Sequence, residues 1–241
     1  MGGGLPACRR RNPEFSMPAL RASILSLACF AFAAPAMAAQ EDEQVWLAQQ
    51  STLSVGSKLV VFTDLQLRFT DGADRLGQVL VRPAIGYRAS PSTTLFLGYA
   101  YVHTDPLTGR ATDEHRAFQQ ATVRLAGKPG KATLTARTRL EQRFVRNASN
   151  MGWRLRQHVR LDAPTGKGPS VIVWAEPFVN LDTTDWGQHA GFDQLRLFGG
   201  LGVPVARGIA LEAGYSGQYI NRFARPDRMN HIGSLTLTVR R

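Results

Sequence analysis

From Gln44 onward apolar and polar residues alternate singly, and no helical period survives beyond one turn. In "KATLTARTRLEQRFV" one face carries Leu134, Ala136, Thr138, Leu140 and Phe144, and the other carries Arg137, Arg139, Glu141 and Arg143. "MGWRLRQHVRLD" repeats this, with Trp153, Leu155, Val159 and Leu161 opposed to Arg154, Arg156, His158 and Arg160. "LVVFTDLQLRF" sets Leu59, Val61, Leu65 and Leu67 against Asp64, Gln66 and Arg68. A period of two puts alternate side chains on opposite faces of a strand, so the pattern predicts strands with one apolar and one charged face.

Eleven such segments can be marked, at 44–54, 58–70, 76–88, 93–103, 115–125, 131–145, 151–162, 170–180, 191–203, 208–220 and 230–240. Most have about the length of a tilted membrane strand or slightly more. Short turns ("VGSK", "SPST", "AGKPGK", "APTGKGP", "VARG") alternate with longer loops ("DGADR", "TDPLTGRATDE", "RNASN", "LDTTDWGQHA", "NRFARPDRM"). Short turns at one end and long loops at the other fit an up-and-down barrel. No linker divides the region, so 39–241 is expected to be one domain.

Period alone does not say which face points inward. In a soluble barrel, such as an exported lipocalin-like binder, the charged face would be outside; in a membrane barrel the faces exchange. Three features favour the exchange. The apolar face runs through nearly every strand with no charge to blunt an edge. Aromatics gather near strand ends, among them Phe69, Tyr87, Tyr101, Phe144, Trp153, Phe192 and Tyr219, where interfacial girdles lie. The third feature precedes the strands. "MPALRASILSLACFAFAAPAMAAQ" has a basic start at Arg21, an apolar core from Ile24 to Ala34 and a small-x-small site at Ala36-Met37-Ala38, the pattern of a cleaved secretory signal. The expectation is an upstream extension plus signal peptide over 1–38, with Met17 as the functional start, and cleavage after Ala38. Ser26 stands where a lipoprotein signal at Cys29 needs an aliphatic residue. The expected fold is therefore all-β, an antiparallel transmembrane up-and-down barrel of 10–12 strands in the outer membrane of a Gram-negative cell. An even count is the rule for bacterial barrels, and eleven segments start the first strand at the long-loop end, so either one strand is misread or the leader "QEDEQ" climbs to that start.

Composition changes this picture little. Both cysteines, Cys8 and Cys29, fall in the part expected to be removed, so packing and hydrogen bonding must hold the fold. Without residues 1–38 the chain keeps 25 basic and 17 acidic residues, a formal charge of +8. Such a balance can mark nucleic-acid binding, but an exported chain seldom meets nucleic acid, and none is expected as a partner.

The segments also carry a resemblance. "VWLAQQSTLSVGSKLVVFTDLQLRF", "QVLVRPAIGYRASPSTTLFLGYAYV", "EHRAFQQ", "RTRLEQRF", "WRLRQHVRLDAP", "WAEPFVNLD", "FDQLRLFGGLGV" and "LEAGYSGQYI" follow one another over about 45–241, with repeated G-Y pairs at Gly86-Tyr87, Gly98-Tyr99 and Gly214-Tyr215. This series resembles the domain-of-unknown-function family 2490, bacterial proteins regarded as outer-membrane β-barrels. Members usually end in a strand with a terminal aromatic, whereas this chain ends "SLTLTVRR". The resemblance implies a barrel and brings no activity and no catalytic residues.

Candidate chemistry is sparse. His103, Asp105, Asp113, Glu114 and His115 could be ligands or an acid–histidine set, but their spacing matches no metal motif and the stretch is rich in turn formers, so 104–114 reads as a solvated loop. A rim hydrolase would need a serine beside a histidine; His231 and Ser234, three apart on a strand, face opposite ways. No catalytic residue, metal site or cofactor is expected. What stands out is the charged face. Arg68, Arg82, Arg137, Arg139, Arg143, Arg154, Arg156, His158, Arg160 and Arg196, with Glu141, Glu176 and Glu212, are the candidate lumen-lining residues. Charges this dense cannot face lipid. They predict either a narrow channel or pocket for small anionic solutes, or a plugged lumen that only holds a structural barrel shut. Outer-membrane lipids and the barrel assembly machinery are the other expected partners.

Overall fold

The computed structural model describes residues 1–3, 39–128, 130–166 and 168–241. Two units separate by their contacts, Met1–Ala36 and Met37–Arg241, and the second holds every strand described. The expected signal peptide and both cysteines lie outside the described residues.

Eleven strands follow one another: β1 Gln40–Val55, β2 Leu59–Thr70, β3 Arg75–Arg88, β4 Thr93–Thr104, β5 Thr112–Gly127, β6 Thr133–Val145, β7 Gly152–Pro164, β8 Ser170–Asn180, β9 Gly191–Ala206, β10 Ile209–Ile220 and β11 Arg228–Arg240. Each pairs with its chain neighbours, and β1 pairs with β11, so the sheet closes on itself. Ten seams are antiparallel, as expected; the eleventh, β1 with β11, is parallel from Gln40↔Arg228 to Thr52↔Arg240. An odd number of alternating strands makes the first and last run the same way. A parallel ladder, with slanted bonds, still occupies the backbone groups of both edges. "QEDEQ" does not climb to β1 but belongs to it, and Gln40 N donates to Asp227 O at 2.8 Å beside the last long loop.

The faces are the exchanged ones. Ile85 and Leu97 point outward at 66% and 67% exposure, while Arg139 and Glu141 keep 1% each. The G-Y pairs fit this geometry. A Cβ at Gly86 or Gly98 would strike the interior ring of Phe96 or Phe118, while Tyr87, Tyr99 and Tyr215 stand exposed on the outside. Each pair thus makes room for a ring inside and places an aromatic outside.

The interior also changes character along its length. Val60, Ala84 and Ile172 are buried in the strand halves nearer the short turns and Phe118 and Phe198 near mid-strand, with Phe62 edge-on to Phe96 at 6.1 Å. His158 packs on Trp174 at 5.2 Å, and Trp174 stacks on Phe198 at 5.2 Å and 9°. Toward the long loops the interior becomes ionic.

Candidate functional site

Carboxylates from several strands tie the arginines together. Asp64 on β2 accepts from Arg82 on β3 at 2.7 Å. Glu114 on β5 accepts from Arg116 at 2.7 and 2.8 Å and from Arg143 on β6 at 2.5 and 3.1 Å. Glu141 on β6 accepts from Arg154 at 2.7 Å and Arg156 at 2.8 Å, both on β7. Glu176 on β8 accepts from Arg156 at 2.8 Å and from Arg137 at 2.7 Å. Arg156 is therefore held from two sides, a use that suits the planar five-donor guanidinium. Nearer the short turns, Arg160 holds Asp162 and Glu212. Arginines also lie on aromatic faces, Arg156 on Phe178 at 4.4 Å and Arg143 on Trp186 at 4.7 Å.

Above this lattice a cavity of about 650 Å³ lies at the long-loop end. Arg82, Arg156, Leu80 and Phe178 are in its floor, and residues of the β4–β5 and β10–β11 loops are in its mouth. A second hollow of about 740 Å³ shares Arg143, Arg154, Trp186, Arg222 and Arg225 with it and extends under the β8–β9 loop. The first vestibule is lined by ten arginines and three carboxylates, Asp71, Asp105 and Glu114. All three acids are already engaged, the aspartates by Arg75 and the glutamate by Arg116 and Arg143. The vestibule is thus strongly positive, and low-dielectric walls focus such a potential.

All thirteen expected lumen residues have places in this interior. Arg68, Arg82, Arg143, Arg154, Arg156 and Arg196 line the vestibule. Arg137, Arg139, Glu141 and Glu176 form the lattice with them. His158, Arg160 and Glu212 belong to the aromatic and ionic packing nearer the short turns. The structure does not bring all thirteen to one cavity.

The sequence reading of 104–114 as loop needs correction at its end. The loop is 105–111, and Glu114, eight per cent exposed, is a lattice carboxylate inside β5. Its parity with Arg116 and Phe118 was the available signal. Asp105 stands in the vestibule mouth with Arg75, and the remaining three turn to the outer rim: Asp113 Oδ1 accepts from Tyr101 at 2.6 Å and lies 2.8 Å from His103 Nδ1, and His115 Nδ1 lies 2.5 Å from Tyr99 Oη. Asp193, which accepts from Arg154 at 3.3 Å, and Trp46, whose ring lies under Arg68 at 3.8 Å, were also missed. His231 bonds to Tyr215 at 2.6 Å rather than to Ser234. Among the described residues no group of three or more His, Cys, Asp or Glu side chains is arranged to hold a metal.

Comparison with known proteins gives a consistent grouping. The family model described as "Protein of unknown function (DUF2490)" matches residues 43–230, and the chain belongs to that family. An uncharacterized protein of Methylorubrum extorquens is 36% identical over 203 residues, covering 83% of this chain and 88% of that protein. No solved structure matches the chain.

Proposed function

We propose that this member of the family is an integral outer-membrane β-barrel, plugged along most of its lumen, whose long-loop vestibule holds small anionic solutes. The observation that carries the reading is the inversion of faces: Arg139 is 1% exposed inside, and Leu97 is 67% exposed outside. Soluble monomers seldom expose contiguous apolar patches beyond a few hundred Å², and here the outward residues of almost every strand are apolar. Lipid satisfies that surface, and the closed sheet leaves no backbone edge in hydrocarbon.

A pocket is favoured over a channel because the vestibule has a floor. Below it Arg139, Glu141, Phe118 and Ile172 are fully buried, as expected where side chains fill a small barrel. With the long loops on the cell surface, the vestibule faces the medium. The signal pattern over 1–38 supports export, and insertion would use the barrel assembly machinery. The proposed role is binding, without enzymatic chemistry or nucleic acid.

Fractionation and electrophysiology test this. The protein is expected in outer membranes, heat-modifiable on gels, and with little conductance in planar bilayers. Recovery in the soluble periplasm without detergent sinks the membrane reading. A large cation-selective pore sinks the plugged anion pocket.

A further inference from the structure

The vestibule is not uniformly charged. Five of its ten arginines, on β3, β5, β6 and β7, have a carboxylate within 4.0 Å; the five on the opposite arc have none among the described residues. That arc runs through β9, β10, β11, β1 and β2, which are contiguous around the barrel. Its cations are Arg68, Arg196 and Arg228 in the strands and Arg222 and Arg225 in the β10–β11 loop.

Among the described residues the guanidiniums of Arg68, Arg196 and Arg222 hydrogen-bond only to neutral groups. Arg68 donates to the carboxamide oxygens of Gln66 and Gln78, each at 2.6 Å. Arg196 donates to Gln194 at 3.5 Å, and the Gln218 carboxamide turned with its oxygen inward accepts from it at 3.0 and 3.1 Å. Both guanidiniums share the Trp46 ring, at 3.8 and 5.0 Å from its centre. The Nε atoms of Arg68 and Arg228 are buried without a hydrogen-bond partner, as is that of Arg82 on the paired arc, and Arg68 as a whole is only 9% exposed. Buried donors of this kind normally find acceptors, and a charged one left without them is costly.

On the vestibule reading, we infer that this arc is a binding site for a phosphate group, as inorganic phosphate or as a phosphate monoester. A carboxylate carries one charge and two oxygens, and where Glu114 takes both Arg116 and Arg143 it offsets only one of their two charges. Several unneutralised cations facing one space call for a ligand of higher charge. A phosphate monoester brings about 1.5 to 2 negative charges at neutral pH and three strong acceptor oxygens. Arg68 and Arg196 supply the deep contacts, with Arg228 nearer the mouth.

The test is calorimetric titration of the full-length mature barrel in detergent with inorganic phosphate, glycerol 2-phosphate and acetate. Phosphate and the monoester should bind at least about tenfold tighter than acetate, and Arg228→Gln should weaken both by about tenfold. Binding should also weaken as sodium chloride rises. Arg146→Gln, the same charge change on the outer rim, should leave phosphate binding unchanged. Preference for inorganic phosphate over the monoester assigns the free ion, and the reverse assigns a phosphorylated solute. Acetate binding as tightly as phosphate overturns the inference, as does full affinity in Arg228→Gln and Arg196→Gln barrels that stay heat-modifiable. Membrane recovery is scored on the same preparations. Integrated protein that binds no phosphate sinks this inference alone, and phosphate binding by a soluble protein supports it while sinking the membrane reading.

Discussion

Arg160 of β7 and Glu212 of β10 meet through the inside of the barrel, Nη1 donating to Oε2 and Nη2 to Oε1, each at 2.9 Å. Neither strand is a neighbour of the other, so this two-bond fork crosses the interior and fixes one wall against another. Such crossings close the lumen. They also make its charges unequal in their consequences, because some carboxylates serve one arginine and others several.

The inequality can be measured. Glu141 is 1% exposed and accepts from Arg154 and Arg156, with Arg139 at 3.6 Å. Glu141→Gln leaves buried positive charge uncompensated and should destabilise the barrel by about 3–5 kcal/mol. Glu212→Gln should cost less, because Arg160 keeps Asp162 at 2.7 Å. Denaturant unfolding of the refolded barrel checks the order, and equal effects would contradict the lattice described for Glu141.

The outward face gives a second expectation. Leu155 lies outside between Arg154 and Arg156, which point in. Leu155→Arg should reduce the heat-modifiable, membrane-inserted fraction, and Val159→Arg, nearer mid-strand, should reduce it more, because the cost of a lipid-facing arginine rises toward the bilayer midplane. Unchanged insertion would mean that this face does not meet lipid.

Strand parity places the start of β1 and the end of β11 at opposite ends of the barrel. Gln40 pairs with Arg228 beside the long loops, and Arg241 N donates to Thr52 O at 3.0 Å at the short-turn end. A tag placed between residues 38 and 40 should be reached by antibody on intact cells, and one after Arg241 only after permeabilisation. Both tags on one side would rule out the parallel seam in the membrane.

The β4–β5 loop should be dispensable. Residues 105–111 lie outside the strands, and Arg110 is exposed. Replacing them with a short glycine-containing turn should leave folding intact, losing only the Arg75–Asp105 contact at the rim. Trypsin on whole cells should cut after Arg110. A barrel that cannot assemble with the short turn would show that the loop is structural.

Acid should open one loop clasp. Asp185 accepts from Ser149 N at 2.8 Å and Asn150 N at 3.2 Å, and these backbone donors, Ser149 first, hold its carboxyl below the ordinary value. A depressed carboxylate pKa stabilises the clasp above the unfolded value of about 3.9 and ceases to do so as pH falls through the folded one. Hydrogen exchange at Ser149 and Asn150 should therefore lose protection below about pH 4, and Asp185→Ala should remove that pH dependence. Protection that persists in acid would dissociate the clasp from Asp185.

The sequence by itself determined where the strands run and which residues share a face, because a strand's period of two is written in consecutive residues. Segments such as 93–103 and 170–180 coincide with β4 and β8 almost to the residue. The grouping of arginines and carboxylates on one face of each strand was legible for the same reason. The alternation alone left the direction of the faces open, since exchanging inside and outside preserves every period. Glu114 was lost where strand pattern met turn-rich composition. Only the closed structure decided that β1 and β11 run parallel, that Arg160 reaches Glu212 fifty-two positions away, and that the vestibule has one paired and one unpaired arc. Those facts depend on strand register, tilt and closure around the barrel, which bring together residues with no fixed spacing in the chain.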